Sequence, residues 1–251
     1  MNTLHCFGAL ILMSQLINSP AAAQPRLSKS KIASFEQCPR RLWLQIHRRE
    51  LGQFDEQTLA LFECGHAVGE MARRRYRHGH LVAETHLEIP AAISRTSELL
   101  AAPDGLPIFE AAFERQGVII RADILEPDHW GGWRLIEVKN SRSVKAYQIR
   151  DVATQAWVLH GNRICISAIV VRHVERPLRL NSRNPTVRFL DADVTPDAQR
   201  LVPGRETIVV AAGAALEGAE PAIRPGPHCV RPNCEFRHHC FQNVEAAIGR
   251  E

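Results

Sequence analysis

Three strand-like segments joined by short turns place the strongest limit on what this chain can fold into. Arg115-Gln116-Gly117, between the first two segments, is short enough for a hairpin and has its glycine in place. Residues 127–132 supply a second turn rich in proline, aspartate and glycine. The sequence therefore predicts a β-meander of three antiparallel strands, at 107–114, 118–125 and 133–139.

The pattern after the meander alternates between helical and extended periods. A strongly β-branched segment there is typical of a buried strand. Strands followed by a helix and a further strand make a mixed α/β core. The predicted elements are a helix at about 143–159, a strand at 164–172, a strand at 186–190 and a helix at about 196–216.

The residues before the meander have a helical pattern. Ser28 or Ser30 can cap a first helix, and Pro39 can open the turn that follows it. A second helix is expected at 57–76 and a surface helix at 90–101. The buried side of the 57–76 helix is expected to carry Leu61, Phe62, Val68, Met71 and Ala72.

Length and composition are those of a globular protein. The 251 residues suffice for one well-cored domain, and 45% hydrophobic with 23% charged residues argue against wholesale disorder. A formal net charge of +4 is compatible with a nucleic-acid partner but does not argue for one. Only four lysines stand against 27 arginines, so the position of Lys139 is informative.

Residues 1–26 contain an apolar run at 7–17 followed by Ala21-Ala22-Ala23-Gln24, which resembles a signal peptide. No Lys or Arg precedes Arg26, so the required basic region is missing. We therefore favour a disordered extension, or a start assigned too early, over a secretory signal. The run is too short to span a bilayer, and we expect a cytoplasmic protein with no membrane partner.

Asp123, Glu137 and Lys139 are the candidate catalytic residues. On a strand, Glu137 and Lys139 point to one face, and a hairpin partner can bring Asp123 beside them. Neighbouring carboxylates repel unless a cation shares them, and oxygen ligands suit Mg²⁺ or Mn²⁺. An E-x-K pair is commonly a solvated surface pair, but these strands are otherwise apolar, which favours metal-assisted phosphodiester hydrolysis.

Three cysteines, Cys229, Cys234 and Cys240, crowd into the tail HCVRPNCEFRHHCF. Zinc or iron–sulfur ligation is the natural interpretation. Local fourth ligands for a zinc site are His228, His238 and His239. A disulfide-bonded periplasmic protein is the alternative, but it depends on the weak signal peptide and fits poorly with seven cysteines.

The order RADIL, RLIEVKNS and D-x-A-x-Q resembles the RecB-type branch of the PD-(D/E)XK nucleases. It is more closely similar to the iron–sulfur nucleases related to AddB and to the fourth CRISPR-associated protein. The resemblance implies a restriction-endonuclease-like mixed sheet flanked by helices, with an N-terminal helical region and a cysteine-rich C-terminal tail. It implies a single nuclease domain at 27–243, with a helical part at 27–102, a catalytic core at 107–216 and a metal-cluster tail at 226–243.

The resemblance also implies roles for individual residues. Lys139 would position or activate the water, and Gln155 would help to organise the site. Ala122 stands where proline is common, and Leu159 stands where the family usually has a tyrosine, a departure that affects a nucleic-acid contact. The implied ligands of Mg²⁺ or Mn²⁺ are His66, Asp123, Glu137 and the Val138 carbonyl.

For the cysteines, the resemblance implies a fourth ligand near the start of the domain, Cys38 in FEQCPRRLWL. We then favour a [4Fe–4S] cluster on Cys38, Cys229, Cys234 and Cys240, with zinc as the alternative. The C-x4-C spacing departs from the family's shorter C-x2-C. A cluster on these residues would close a long loop and have a structural role.

The expected function is hydrolysis of DNA, exonuclease-like, on single strands or duplex ends. Other repair proteins, or proteins of CRISPR or another defence system, are the expected protein partners. The alternative is a nucleic-acid-binding or scaffold module of such a complex, with little or no catalysis.

Overall fold

The computed structural model describes residues 27–102, 104–179, 187–230 and 232–248. The signal-like segment 1–26 lies outside these residues. The described strands are β1 (Leu27–Ser28), β2 (His80–Leu81), β3 (Ile108–Arg115), β4 (Val118–Pro127), β5 (Trp133–Lys139), β6 (Ile166–Val174) and β7 (Phe189–Asp193). The described α-helices are α1 (Lys29–Gln37), α2 (Pro39–His47), α3 (Glu56–Arg73), α4 (Ile89–Ala101), α5 (Ala146–Gly161), α6 (Thr195–Leu201), α7 (Arg205–Glu217) and α8 (Arg237–Ile248).

The described strands form one sheet in the order β2-β3-β4-β5-β6-β7, and β1 pairs with the start of β4. Strands β3, β4 and β5 are antiparallel neighbours, so the predicted meander is confirmed. Strand β6 runs parallel to β5, and α5 makes the crossover between them, as parallel neighbours require. The structure is a mixed α/β sheet flanked by helices.

The β3–β4 turn has the geometry that its sequence predicts. Gln116 and Gly117 both have positive φ, at 48° and 76°, and Arg115 pairs with Val118 across the turn. Positive φ at both central residues defines the two-residue turn whose twist matches antiparallel strands. This local chemistry fixes the register of β4, and β4 carries Asp123.

Apolar side chains alternate between the two faces of the sheet and form a core on each. Leu125 and Leu135 belong to the larger core, which α1, α4, α5, α6 and α7 cover. Ile124 and Ile136 belong to a smaller core with Ala72 of α3. Helices therefore pack on both faces, and the sheet is buried between them.

The helices begin where capping residues predict. Ser28 accepts a hydrogen bond from the Lys31 N–H and caps α1, and Pro39 is the first residue of α2. Asp55 accepts from the Thr58 N–H in the same way at the start of α3. No helix in the described part of the chain is both long and apolar enough to cross a membrane.

Two sequence-based expectations are wrong. The single helix predicted at 196–216 is two helices, because Pro203 lies in a 3₁₀ turn at Val202–Gly204, where a continuous α-helix would need its N–H. Leu61 and Phe62 are exposed, at 62% and 48%, whereas Val68 and Ala72 are buried as predicted. The strand expected at 186–190 is β7, shifted toward the C-terminus, and residue 186 lies outside the described residues.

Thr96 generates a prediction about stability. Its hydroxyl is buried, donates to the Ala92 carbonyl at 2.8 Å and accepts from the Ala112 N–H at 2.9 Å, joining α4 to β3. Thr96→Val keeps the shape but leaves the Ala112 N–H without its acceptor. We expect the free energy of unfolding to fall by about 1–3 kcal/mol in urea titrations. Thr96→Ser keeps the hydroxyl and is the matched control; equal stability of the two variants would contradict the argument.

Candidate active site

Asp123 and Glu137, the two acidic residues predicted from the sequence, face each other across β4 and β5. The antiparallel register of these strands brings them together. Oδ2 of Asp123 accepts a hydrogen bond from the Val138 N–H at 2.7 Å. Nζ of Lys139 donates to Oε1 of Glu137 at 2.6 Å, so Glu137 and Lys139 share one face, as strand alternation predicts.

Helix α5 adds two side chains to this group. Nε2 of Gln155 donates to Oε2 of Glu137 at 2.8 Å, so the predicted glutamine does reach the site. Oδ2 of Asp151 accepts from Nζ of Lys139 at 2.9 Å. Sequence reasoning did not assign a role to Asp151, although a spacing of four residues puts it on the same helix face as Gln155.

Lys29, the first residue of α1, is the second member that sequence reasoning missed. Its Nζ lies 3.1 Å and 2.9 Å from the two carboxylate oxygens of Glu137 and 3.9 Å from Oδ1 of Asp123. The pairing of Leu27 with Val118 holds this end of α1 against β4. Because Lys29 and Glu137 are 108 residues apart, no local pattern could indicate this contact.

Burial and charge act in opposite directions on these groups. Burial opposes the charge on Glu137, which is 2% exposed, but Lys139 and Lys29 outweigh it and hold the pKa of Glu137 well below its usual range. Burial, with the charge of Glu137 added, raises the pKa of Asp123 to about 7. Burial also opposes the charges of Lys29 and Lys139, but the acidic neighbours raise the pKa of each lysine above its ordinary value.

The group lies at one side of a cleft of about 1070 Å³ between α3 and the meander. His66 is exposed on α3 and lines the same cleft, together with Glu137 and Val138. Among the described residues, however, no three or more His, Cys, Asp or Glu side chains are arranged to hold a metal ion. His66 thus lines the same cleft as the carboxylates without joining them as a ligand set.

Arginines form part of the cleft wall around a strained glutamate. Glu110 has a φ of +57°, which is uncommon for a residue other than glycine. Its carboxylate accepts from Arg73 at 3.1 Å and from Arg121 at 3.4 Å. The two guanidiniums line the cleft together with Asp123, but they share the Glu110 carboxylate, and Glu70 and Glu84 line the same cleft.

The carboxylate pair fits a divalent cation by the chemistry of its donors. Asp123 and Glu137 supply the oxygen ligands that Mg²⁺ and Mn²⁺ prefer, and the Lys29 ammonium already lies against them as a positive charge. Oδ1 of Asp151 and Oε1 of Gln155 are buried acceptors with no hydrogen-bond partner among the described residues. Such acceptors are typical of sites whose donors come from outside the chain.

The four cysteines predicted to bind a cluster line one small cavity of about 10 Å³ beside Phe236. Cys38 joins α1 to α2, and Cys229, Cys234 and Cys240 come from the C-terminal segment; all four are buried. Burial raises the pKa of Cys234 to about 11. None of the six cysteines among the described residues forms a disulfide. The set offers soft donors in one place, although the thiols are not spaced as a metal-holding group.

Comparison with known proteins adds little to this geometry. No protein-family model matches the sequence, and no curated protein matches it. One similar solved structure is that of SSO0001; 88% of this chain and 88% of that chain are covered, with 12% sequence identity and a TM-score of 0.38. A likeness at that level supports no argument about function.

The raised pKa of Asp123 predicts a pH dependence of stability without divalent metal. Between the ordinary value of 3.8 and about 7, folded Asp123 keeps a proton that unfolded Asp123 releases. The stabilisation that this retained proton provides is therefore complete below pH 3.8, and it is lost as the pH rises through about 7. The slope of the free energy of unfolding against pH that this proton causes has an upper limit of about 1.4 kcal/mol per pH unit.

The measurement is urea unfolding in chelator at several pH values across this window. Asp123→Asn has no proton to release, so its stability should fall less than that of the parent as the pH rises. Asp197→Asn, a change on the exposed surface of α6, is the control and should follow the parent. Parallel pH profiles for Asp123→Asn and the parent would contradict the assignment.

Proposed function

We propose that the protein is a metal-dependent nuclease of the PD-(D/E)XK superfamily, of the RecB and AddB type, with a restriction-endonuclease-like core. The observation that carries this proposal is the convergence of Asp123, Glu137, Lys139 and Gln155. Two strands and a helix contribute these side chains, and they meet beside one open cleft. These are the positions that the family resemblance assigns to the nuclease centre.

In this proposal each side chain has a defined task. Asp123 and Glu137, with the Val138 carbonyl and His66, would hold Mg²⁺ or Mn²⁺. A divalent cation there supplies charge neutralisation at the phosphate and a more acidic bound water. Lys139, fixed between Glu137 and Asp151 at 2.6 Å and 2.9 Å, presents its ammonium to the attacking water or the scissile phosphate.

The cleft wall supports a single-stranded nucleic-acid substrate. Arg73 and Arg121 line the cleft, held by Glu110, and their remaining N–H groups would contact phosphates without reading sequence. Phe62 and Tyr147 line the cleft and are 48% and 41% exposed, so their rings are available for stacking by unpaired bases. We infer DNA single strands or duplex ends as substrates, with repair or defence proteins as partners in the cytoplasm.

The gathering of four buried cysteines supports a [4Fe–4S] cluster as part of the same proposal. Cys38 and Cys229 lie near opposite ends of the chain, yet both line one cavity with Cys234 and Cys240. Four soft thiol donors suit iron–sulfur or zinc ligation. A cluster there would tie the first helices to the C-terminal segment and stabilise the domain.

A binding module without catalysis is the second candidate. It is favoured by the absence, within the described residues, of a ready three-ligand metal group, and by the lysine that lies against both carboxylates. Such a module would bind single-stranded DNA in the cleft and give no heat on titration with Mn²⁺.

Lys139→Ala tests the nuclease proposal. We expect hydrolysis of an end-labelled single-stranded oligonucleotide in Mn²⁺ to slow by about a hundredfold or more, because the charge that stabilises the transition state is lost. Lys145→Ala removes the exposed lysine at the start of α5 and is the matched control. Equal rates for Lys139→Ala and the parent would contradict the proposal, provided that both variants give the parent's circular dichroism.

Cys38→Ala tests the cluster. Anaerobically purified parent should contain about four irons per chain and absorb light at about 400 nm. Cys38→Ala should lose both the iron and this absorption. Cys64→Ala, buried in α3 outside the cavity, should keep the parent's iron content. Zinc without iron, kept by Cys38→Ala, would instead support the site of three cysteines and one histidine.

A further inference from the structure

Lys29 is a charged side chain of the site with no task in the proposed hydrolysis. Its ammonium hydrogen-bonds to both oxygens of Glu137, and it lies 3.9 Å from Asp123. The side chain is 18% exposed, so the contact is largely shielded from solvent. A shielded lysine against two carboxylates neutralises the site in the same way as a bound cation does.

The position of Lys29 in α1 is not explained by the helix. A lysine at the first residue of a helix lies at the positive end of the helix dipole, where a cation is unfavourable. The favourable interactions of this charge are therefore those with Glu137 and Asp123. Lys31, two residues later in the same helix, makes no described ion pair with either carboxylate.

Lys139 differs from Lys29 in how it is held. Lys139 has Asp151 as an additional acidic partner at 2.9 Å, so it keeps a counterion when Glu137 binds another cation. The described ion pairs of Lys29 are with Glu137 and Asp123 alone. Lys29 also lines the open cleft, where its flexible side chain has room to move.

We propose that Lys29 is the internal counterion of the site and that a divalent metal binds between Asp123 and Glu137 only by displacing its ammonium into the cleft. This inference rests on the proposed function, because it takes those carboxylates as metal ligands. A dication and the Lys29 ammonium would compete for the same carboxylate oxygens and repel each other, and Lys29, unlike Lys139, has no further acidic partner among its described ion pairs to hold it there. Lys29 therefore lowers the metal affinity and makes occupancy depend on the Mg²⁺ or Mn²⁺ concentration.

The test is titration of Mn²⁺ by calorimetry into chelator-treated parent, Lys29→Met and Lys31→Met. We expect Lys29→Met to bind Mn²⁺ at least about tenfold more tightly than the parent, because no cation has to be displaced. Lys31→Met keeps the helix and the site lysine and should bind as the parent does. Lys29→Gln, which is neutral but polar, repeats the test if the methionine variant does not fold.

Thermal unfolding gives a second, independent measurement. Without metal, Lys29→Met should unfold at a lower temperature than the parent, since Asp123 and Glu137 lose the Lys29 ammonium and Lys139 alone remains beside Glu137. Saturating Mn²⁺ should then raise its Tm by more than it raises the Tm of the parent.

The outcomes separate the two proposals. If the parent binds Mn²⁺ and Lys29→Met binds it equally or more weakly, the proposed displacement of Lys29 is wrong, whereas the proposed metal site still stands. If neither the parent nor Lys29→Met binds Mn²⁺ while both remain folded, the metal site is wrong, and the inference about Lys29 is wrong with it.

Discussion

Glu137 is a carboxylate buried in the centre of a sheet, and the arrangement of the surrounding elements follows from that. An ionised carboxylate without partners at 2% exposure would strongly destabilise the fold. Three donors compensate it: Lys29 from α1, Lys139 from β5 and Gln155 from α5. The charge therefore holds two helices against the sheet at one point, and the same point opens onto the cleft.

The compensation leaves an unequal pair of acids. Glu137 takes most of the positive charge and stays ionised, whereas burial and the charge of Glu137 keep the pKa of Asp123 at about 7. A cation added beside both would favour release of the Asp123 proton. Asp151 meanwhile fixes Lys139, so its ammonium can stay in place while Asp123 and Glu137 change their partners.

The sequence predicted those parts of the fold that depend on local chemistry. The meander, the Gln116–Gly117 turn and the caps of α1 and α2 follow from residues next to one another. Strand alternation placed Glu137 and Lys139 on one face. Lys29 could not be predicted, because its contact joins residues 108 positions apart. Phe62 was misassigned because a hydrophobic pattern does not distinguish a core face from the wall of an open cleft.

Helix α1 connects the carboxylate group with the cysteine cavity. It begins at Lys29 against Glu137 and ends at Gln37, next to Cys38 of the cavity, and its 9 residues span about 13 Å. Gln37 fixes its far end by donating to the His228 and Pro232 carbonyls at 2.6 Å and 2.7 Å. A group bound by the cysteines would hold α1 in the position that presents Lys29 to the carboxylates. The ion pairs of Lys29 at one end of α1 and the hydrogen bonds of Gln37 at the other therefore fix the same helix.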